Sequence, residues 1–168
     1  MKTSSTEWCN SFPVSRLLAA AILLFVFLVS AANPVFAQKI TTGANMYSSY
    51  TIDANGALYT WGRNTNGQLG HGNTTNYLLP DTVSYPSGVT SWIVVASGQY
   101  HTLAIGSDGN IYASGNNSHG ELGDGTTTSS SIPVMVSKPG GVTSWMAVAC
   151  GNDNSYAIGS DGNAYAGL

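Results

Sequence analysis

The chain has 168 residues, room for about one domain on ordinary length grounds, and only 8% of them are charged. A content of 43% hydrophobic residues with nine tyrosines excludes a disordered polymer. Five Lys and Arg stand against eight Asp and Glu, a net charge of −3 with no basic stripe, which argues against nucleic acid as a partner.

The first element is a leader. Lys2 and Arg16 precede the uncharged apolar run Leu17 to Val29, and SAANPVFAQ then places small residues ahead of a cut between Ala37 and Gln38. A basic region, an apolar core and a small-residue end, in that order, predict a secretory signal peptide over residues 1–37. The alternative is a retained membrane anchor, because the run with its Ala-rich tail approaches the length of a thin span. Cleavage predicts a secreted, periplasmic or cell-surface chain with no membrane span. Its charged residues would be Lys39, Arg63 and Lys138 against Asp53, Asp81, Asp108, Glu121, Asp124, Asp153 and Asp161, or 3 − 7 = −4. Cys150 would be its only thiol, which rules out an internal disulfide and a cysteine zinc site.

After a short lead-in, 38–43, short strands alternate with turns. Tyr100 to Ile105 alternates with period two, as a strand does. The Asp-Gly turn Ser107 to Asn110 reverses the chain, and Ile111 to Ser114 returns. Asp53 to Gly56 does the same work earlier, with Asn-Gly. A glycine-rich loop follows each hairpin, and Ile132–Ser137 and Trp145–Ala149 read as two further strands.

The pattern occurs more than once. Gly62, Gly67, Leu69, Gly70 and Gly72 fall on Gly115, Gly120, Leu122, Gly123 and Gly125, always 53 residues later (115 − 62 = 53). Pro80 maps to Pro133, Gly98 to Gly151, and AIGSDGN at Ala104–Asn110 recurs at Ala157–Asn163. Four strands per repeat and no amphipathic helix predict an all-β chain of four-stranded antiparallel units, and a repeat near this length suggests propeller blades or another stacked array. The phase chosen here gives repeats at 44–96 and 97–149, with a third begun at 150–168, or about two and a third repeats. Leu69 and Leu122 are expected as buried plugs between turn glycines. Gly98 and Gly151 correspond to Asn45, which suggests a left-handed turn residue. Ile52, Ile105 and Ile158 are expected to share one buried position, and Tyr50, Leu103 and Tyr156 another.

GQLGHG and GELGDG run opposite to the dinucleotide fingerprint, and no helix follows to meet a phosphate. They are read as structural loops. The stretch Ser97–Gly125, with LYTWG and NGQLG in the first repeat, resembles the signature of the regulator of chromosome condensation repeat family. Within that resemblance Gly56, Trp61, Gly62, Gly67, Leu69, Gly70, Gly98, His101, Gly109, Gly115, Gly120, Leu122, Gly123, Gly151 and Gly162 are signature positions. The resemblance implies a seven-bladed propeller that serves as a protein-binding platform. Against it, the chain is expected to be a fragment, a partial propeller, and the leader argues against the nuclear nucleotide-exchange role of the family's founder.

No catalytic, metal or cofactor site is expected. His101 corresponds to Ser48 and Asn154, and His71 to Asp124, so neither histidine is demanded by the repeat; His101 is implied by the resemblance to be half of a structural His-Thr pair. Asp108 and Asp161 lie in turns where their role is conformational. Asn73-Thr-Thr and Asn116-Asn-Ser match the glycosylation acceptor pattern. The expected function is an exported binding module that presents Arg63, Asn64, His71, Asn73, Tyr77, Asn117, His119, Glu121 and Asp124 to a protein or glycan partner. A homo-oligomer could close the ring. The competing readings are a piece of a larger secreted enzyme or of an inhibitor-like regulator.

Overall fold

A computed structural model describes residues 39–42 and 47–167; the leader and its Ala37–Gln38 junction lie outside them. Eleven strands form three separate sheets, and there is no helix among the described residues. The first sheet contains β1 (Lys39–Thr42), β2 (Ser48–Ile52), β3 (Leu58–Gly62) and β4 (Tyr77–Thr82) in that order. The second contains β5 (Trp92–Ser97), β6 (His101–Gly106), β7 (Ile111–Gly115) and β8 (Ser130–Met135). The third contains β9 (Trp145–Cys150), β10 (Ser155–Gly159) and β11 (Ala164–Ala166). Every pairing is antiparallel between sequential strands, the meander of a propeller blade.

The blades do not begin where the repeat phase put them. The lead-in forms β1, the first strand of the first sheet, and Trp92–Ser97 opens the second sheet instead of closing the first. A periodic sequence has no privileged starting point; the hydrogen-bond ladder supplies one.

The hairpin turns tie successive blades together. Gly56 N–H donates to Asp53 O, while Gly56 O accepts from the N–H of Trp92 at 2.7 Å; Gly109 O likewise accepts from Trp145 N–H at 2.9 Å. The two tryptophans are buried, and their rings meet Tyr112 and Tyr165 edge-on at 5.7 and 5.4 Å, an arrangement aromatic pairs favour. Asp108 sets its turn by accepting from Asn110 N–H and from Tyr112 Oη at 2.7 Å. Burial opposes ionisation of Asp108, but these hydrogen bonds outweigh it and hold its carboxyl below the ordinary value.

The apolar core lies within and between the blades. Tyr50, Leu58, Leu69, Val83, Trp92 and Val95 form one cluster, and Leu103, Ile105, Ile111, Leu122, Val136 and Trp145 another. The expectation that Ile158 and Tyr156 are buried like their counterparts is corrected: they are 43% and 45% exposed. Ile52 and Ile105 each face a neighbouring sheet, whereas no described element covers that face of the third sheet, where Ala147, Ala149 and Ala164 line a shallow apolar hollow with them.

Candidate functional site

β2 and β3 are joined by the turn at one end, so their open end carries Tyr47 and Arg63; the equivalent end of β6 and β7 carries Tyr100 and Asn116. Arg63 N–H donates to Tyr47 O at 2.7 Å, and Asn116 N–H to Tyr100 O at 2.8 Å. This contact explains Gly62 and Gly115, which sit at φ 104° and 118°: a Cβ on either would fall 2.3 or 2.2 Å from the Tyr47 or Tyr100 carbonyl oxygen. From this end each glycine-rich loop leaves the sheet and folds back between two blades.

The loops are fixed by their own buried side chains. Asn64 Oδ1 accepts from Leu69 N–H at 2.9 Å while its Nδ2 donates to Asn73 O; Asn117 Oδ1 accepts from Leu122 N–H at 2.8 Å while its Nδ2 reaches Thr126 O and Thr128 O. Both asparagines are fully buried and Glu121 is nearly so, which corrects the expectation that these three meet a partner. Their polarity serves backbone groups that would otherwise be buried unpaired. Burial works against the Glu121 carboxylate, yet N–H groups of Glu121 and His119 and the Asn116 amide hold its pKa below the ordinary value. Leu69 and Leu122 sit between blades at 1% and 0% exposure. Gly67, Gly70, Gly120 and Gly123 all have positive φ.

Adjacent blades are clamped by hydroxyls, and at the first joint Ser114 Oγ on β7 also reaches Gln68 O at 3.4 Å. Thr102 Oγ1 on β6 donates to Gln68 O of the first loop at 2.9 Å, and Ser155 Oγ on β10 donates to Glu121 O of the second at 2.6 Å. Ser155 Oγ lies 3.0 Å from His101 Nε2, so the imidazole carries its proton on Nε2 and donates; Nδ1 is buried without a partner. Desolvation lowers the His101 pKa, against the opposing pull of Glu121 and Asp153. The left-handed expectation for Gly98 and Gly151 is also corrected, since neither has positive φ. Gly98 is small for another reason: its Cβ would stand 2.5 Å from Cε1 of His101 and 2.6 Å from Gly151 O. Gly109 and Gly162 occupy the hairpin turns, and Trp61 pairs with Ser49 across β3 and β2.

Among the remaining loop residues, His71 packs on Tyr77 with centroids 4.4 Å apart and donates through Nε2 to Thr60 Oγ1 at 2.8 Å. Asn73 Nδ2 donates to Tyr77 Oη, and Asp124 Oδ1 accepts from Thr126. His119 is exposed, 3.6 Å from Glu121 Oε1. Arg63 reaches two aromatic rings. Its guanidinium carbon lies 5.6 Å from the centroid of Tyr47 and 5.4 Å from that of Tyr100, within cation–π range of both. Tyr47 and Tyr100 were not singled out from sequence, although they stand 53 residues apart (100 − 47 = 53) at equivalent places in successive repeats. Among the described residues no group of three or more His, Cys, Asp or Glu is placed to hold a metal ion.

Known proteins share this arrangement. The Regulator of chromosome condensation (RCC1) repeat pattern matches residues 55–105 and 108–158. The chain is 34% identical over 129 residues to the Protein RCC2 homolog of Danio rerio, covering 75% of this chain and 25% of that protein. It is 33% identical over 122 residues to the Regulator of chromosome condensation of Homo sapiens, covering 71% and 28%. It thus spans about a quarter of the length of these relatives. Human WBSCR16 superimposes with a TM-score of 0.68 at 22% identity, over 76% of this chain and 32% of that one. Prp20p of Saccharomyces cerevisiae, a protein described with its binding to Gsp1p and histones, gives 0.63 at 23% identity over 76% and 32%. The repeat match over residues 55–105 and 108–158 covers most of the described chain, and the chain belongs to the regulator of chromosome condensation repeat family.

Proposed function

We propose that the chain is an exported propeller-repeat module that binds a protein partner through the end of its blades carrying Tyr47, Arg63, Tyr100 and Asn116. One observation carries this reading: the loops at that end are anchored by buried Asn64, Leu69, Asn117 and Leu122, while the residues flanking them differ from blade to blade. Rigid anchors beneath variable exposed groups suit recognition, because little entropy is lost on binding. Protein binding by Prp20p lends the same direction by kinship.

The test places a photo-crosslinking amino acid at Tyr47 in one sample and at Asn55, in the turn at the opposite end of the hairpin, in another. Both samples are recovered from outside the cytoplasm. The expected product begins at Gln38 and forms a discrete protein adduct from position 47 and none from position 55. An intact leader on cytoplasmic protein would overturn export, and equal adducts from both positions would overturn the assigned face.

A further inference from the structure

We infer that Arg63 is the anchor of this surface and that it grips a carboxylate, an Asp or Glu side chain of the protein partner. The inference rests on the protein-binding reading above and adds the chemistry of the contact. Three of the five polar atoms of Arg63 are already engaged. Its N–H donates to Tyr47 O, its carbonyl accepts from Ser48 Oγ at 2.7 Å, and its Nε donates to Thr65 Oγ1 at 3.0 Å. The Tyr47 and Tyr100 rings hold the guanidinium within 5.6 and 5.4 Å. Gln99 Nε2 in turn donates to Tyr100 Oη at 2.9 Å and steadies that ring. What remains, among the described residues, is the pair of terminal Nη groups, which have no hydrogen-bond partner there.

A guanidinium held at Nε and against two rings, with its Nη edge unpaired among the described residues, has its conformational cost met before binding. That edge matches the two oxygens of a carboxylate in a bidentate pair. The setting selects a single negative charge. Among the described residues no second cation is joined to this cluster by any hydrogen bond or ring contact, and seven acidic residues outnumber three basic ones from Lys39 onward, so a multiply charged anion would meet net repulsion. Tyr47 is 63% exposed and leaves apolar ring surface beside the charge, the Tyr and Arg combination that dominates binding hot spots. The next joint lacks the feature. Asn116 stands where Arg63 does, and its amide is turned onto Ser118 Oγ and Glu121 Oε1.

The test is a titration of the nitrogen-15-labelled protein with an acetylated, amidated oligo-glutamine peptide carrying one central glutamate, read at the Arg63 Nε–H resonance. The same peptide with glutamine or with phosphoserine at the central position serves for comparison. The expected result is a saturable shift with the single-glutamate peptide, absent with the all-glutamine peptide and weaker with the phosphoserine peptide. Arg63→Lys keeps the charge and loses the fork, and should weaken binding about tenfold; Lys138→Gln should leave it unchanged. A shift that spares Arg63, equal binding by Arg63→Lys, or tighter binding of phosphoserine would each overturn the assignment. The wild-type shift is decisive even if the variant misfolds. It also needs neither export nor a natural partner, so its failure is distinguishable from failure of the proposed function.

Discussion

Alanine at Gly98 would place a methyl group 2.5 Å from the His101 ring and 2.6 Å from a carbonyl oxygen, although the backbone there suits any residue. Overpacking of this kind costs about 1–3 kcal/mol. Gly120→Ala meets nothing within 4 Å and bears only the strain of φ +84°, about 1–2 kcal/mol. Urea midpoints at unchanged slope should therefore fall for both, and only the Gly98→Ala loss should shrink when His101 is replaced by a smaller side chain. His101 itself makes stability depend on pH. Its folded pKa lies below its unfolded value near 6.5, so the unfolded chain binds the proton more readily. The contribution is intact above that value and is lost as pH falls through the window beneath it. Glu121 and Asp153 face the ring and moderate the loss without abolishing it. Between pH 7.5 and 5.5, roughly the range in which histidine alone among unperturbed side chains titrates, the wild-type midpoint should fall and that of His101→Gln should stay nearly level.

Blades are joined by a hydroxyl and a leucine. Removing the Thr102 hydroxyl by Thr102→Val takes away the 2.9 Å donor to the buried Gln68 carbonyl, which keeps the Ser114 and Tyr50 hydroxyls at 3.4 and 3.5 Å, so the cost should be about 0.5–1.5 kcal/mol. Leu122→Ala opens a cavity between the second and third sheets, at about 2–5 kcal/mol. Combined, Thr102→Val and Leu122→Ala should add nearly independently, because they act at different joints; Ser155→Ala with Leu122→Ala should not. A double-mutant cycle by urea unfolding checks both statements.

For the molecule as a whole the exposed face of the third sheet is the dominant feature. Among the described residues nothing covers Tyr156 and Ile158 there, which are 45% and 43% exposed, and Leu78 and Leu79 on β4 are 94% and 75% exposed. Exposed apolar faces and open strand edges favour association. Sedimentation of the chain should show an average mass that rises with concentration, and Ile158→Lys should flatten that rise; a concentration-independent monomer would contradict it.

Much of this was legible in the residues. The recurrence of glycines and leucines 53 positions apart carries the strands, the turns and the plugs, because each repeat must satisfy the same backbone geometry and fill the same gap between sheets. The hairpins were equally plain, since Asn-Gly and Asp-Gly turns act within a few residues of themselves. The loop contacts were not. Asn64, Asn117 and Glu121 look like solvent-facing polar residues until the fold brings a buried N–H or C=O to each, and polarity alone does not say which backbone group it will meet. Blade boundaries were hidden for a related reason, as they are set by which strands share hydrogen bonds. Gly98 is glycine because of a histidine ring and a carbonyl from the next blade, and Arg63 acquires its clamp because Tyr100 belongs to a different sheet. Local conformation follows from neighbours along the chain and could be read there; burial, register and the pairing of groups across blades depend on atoms far apart in sequence, and only folding brings them within reach.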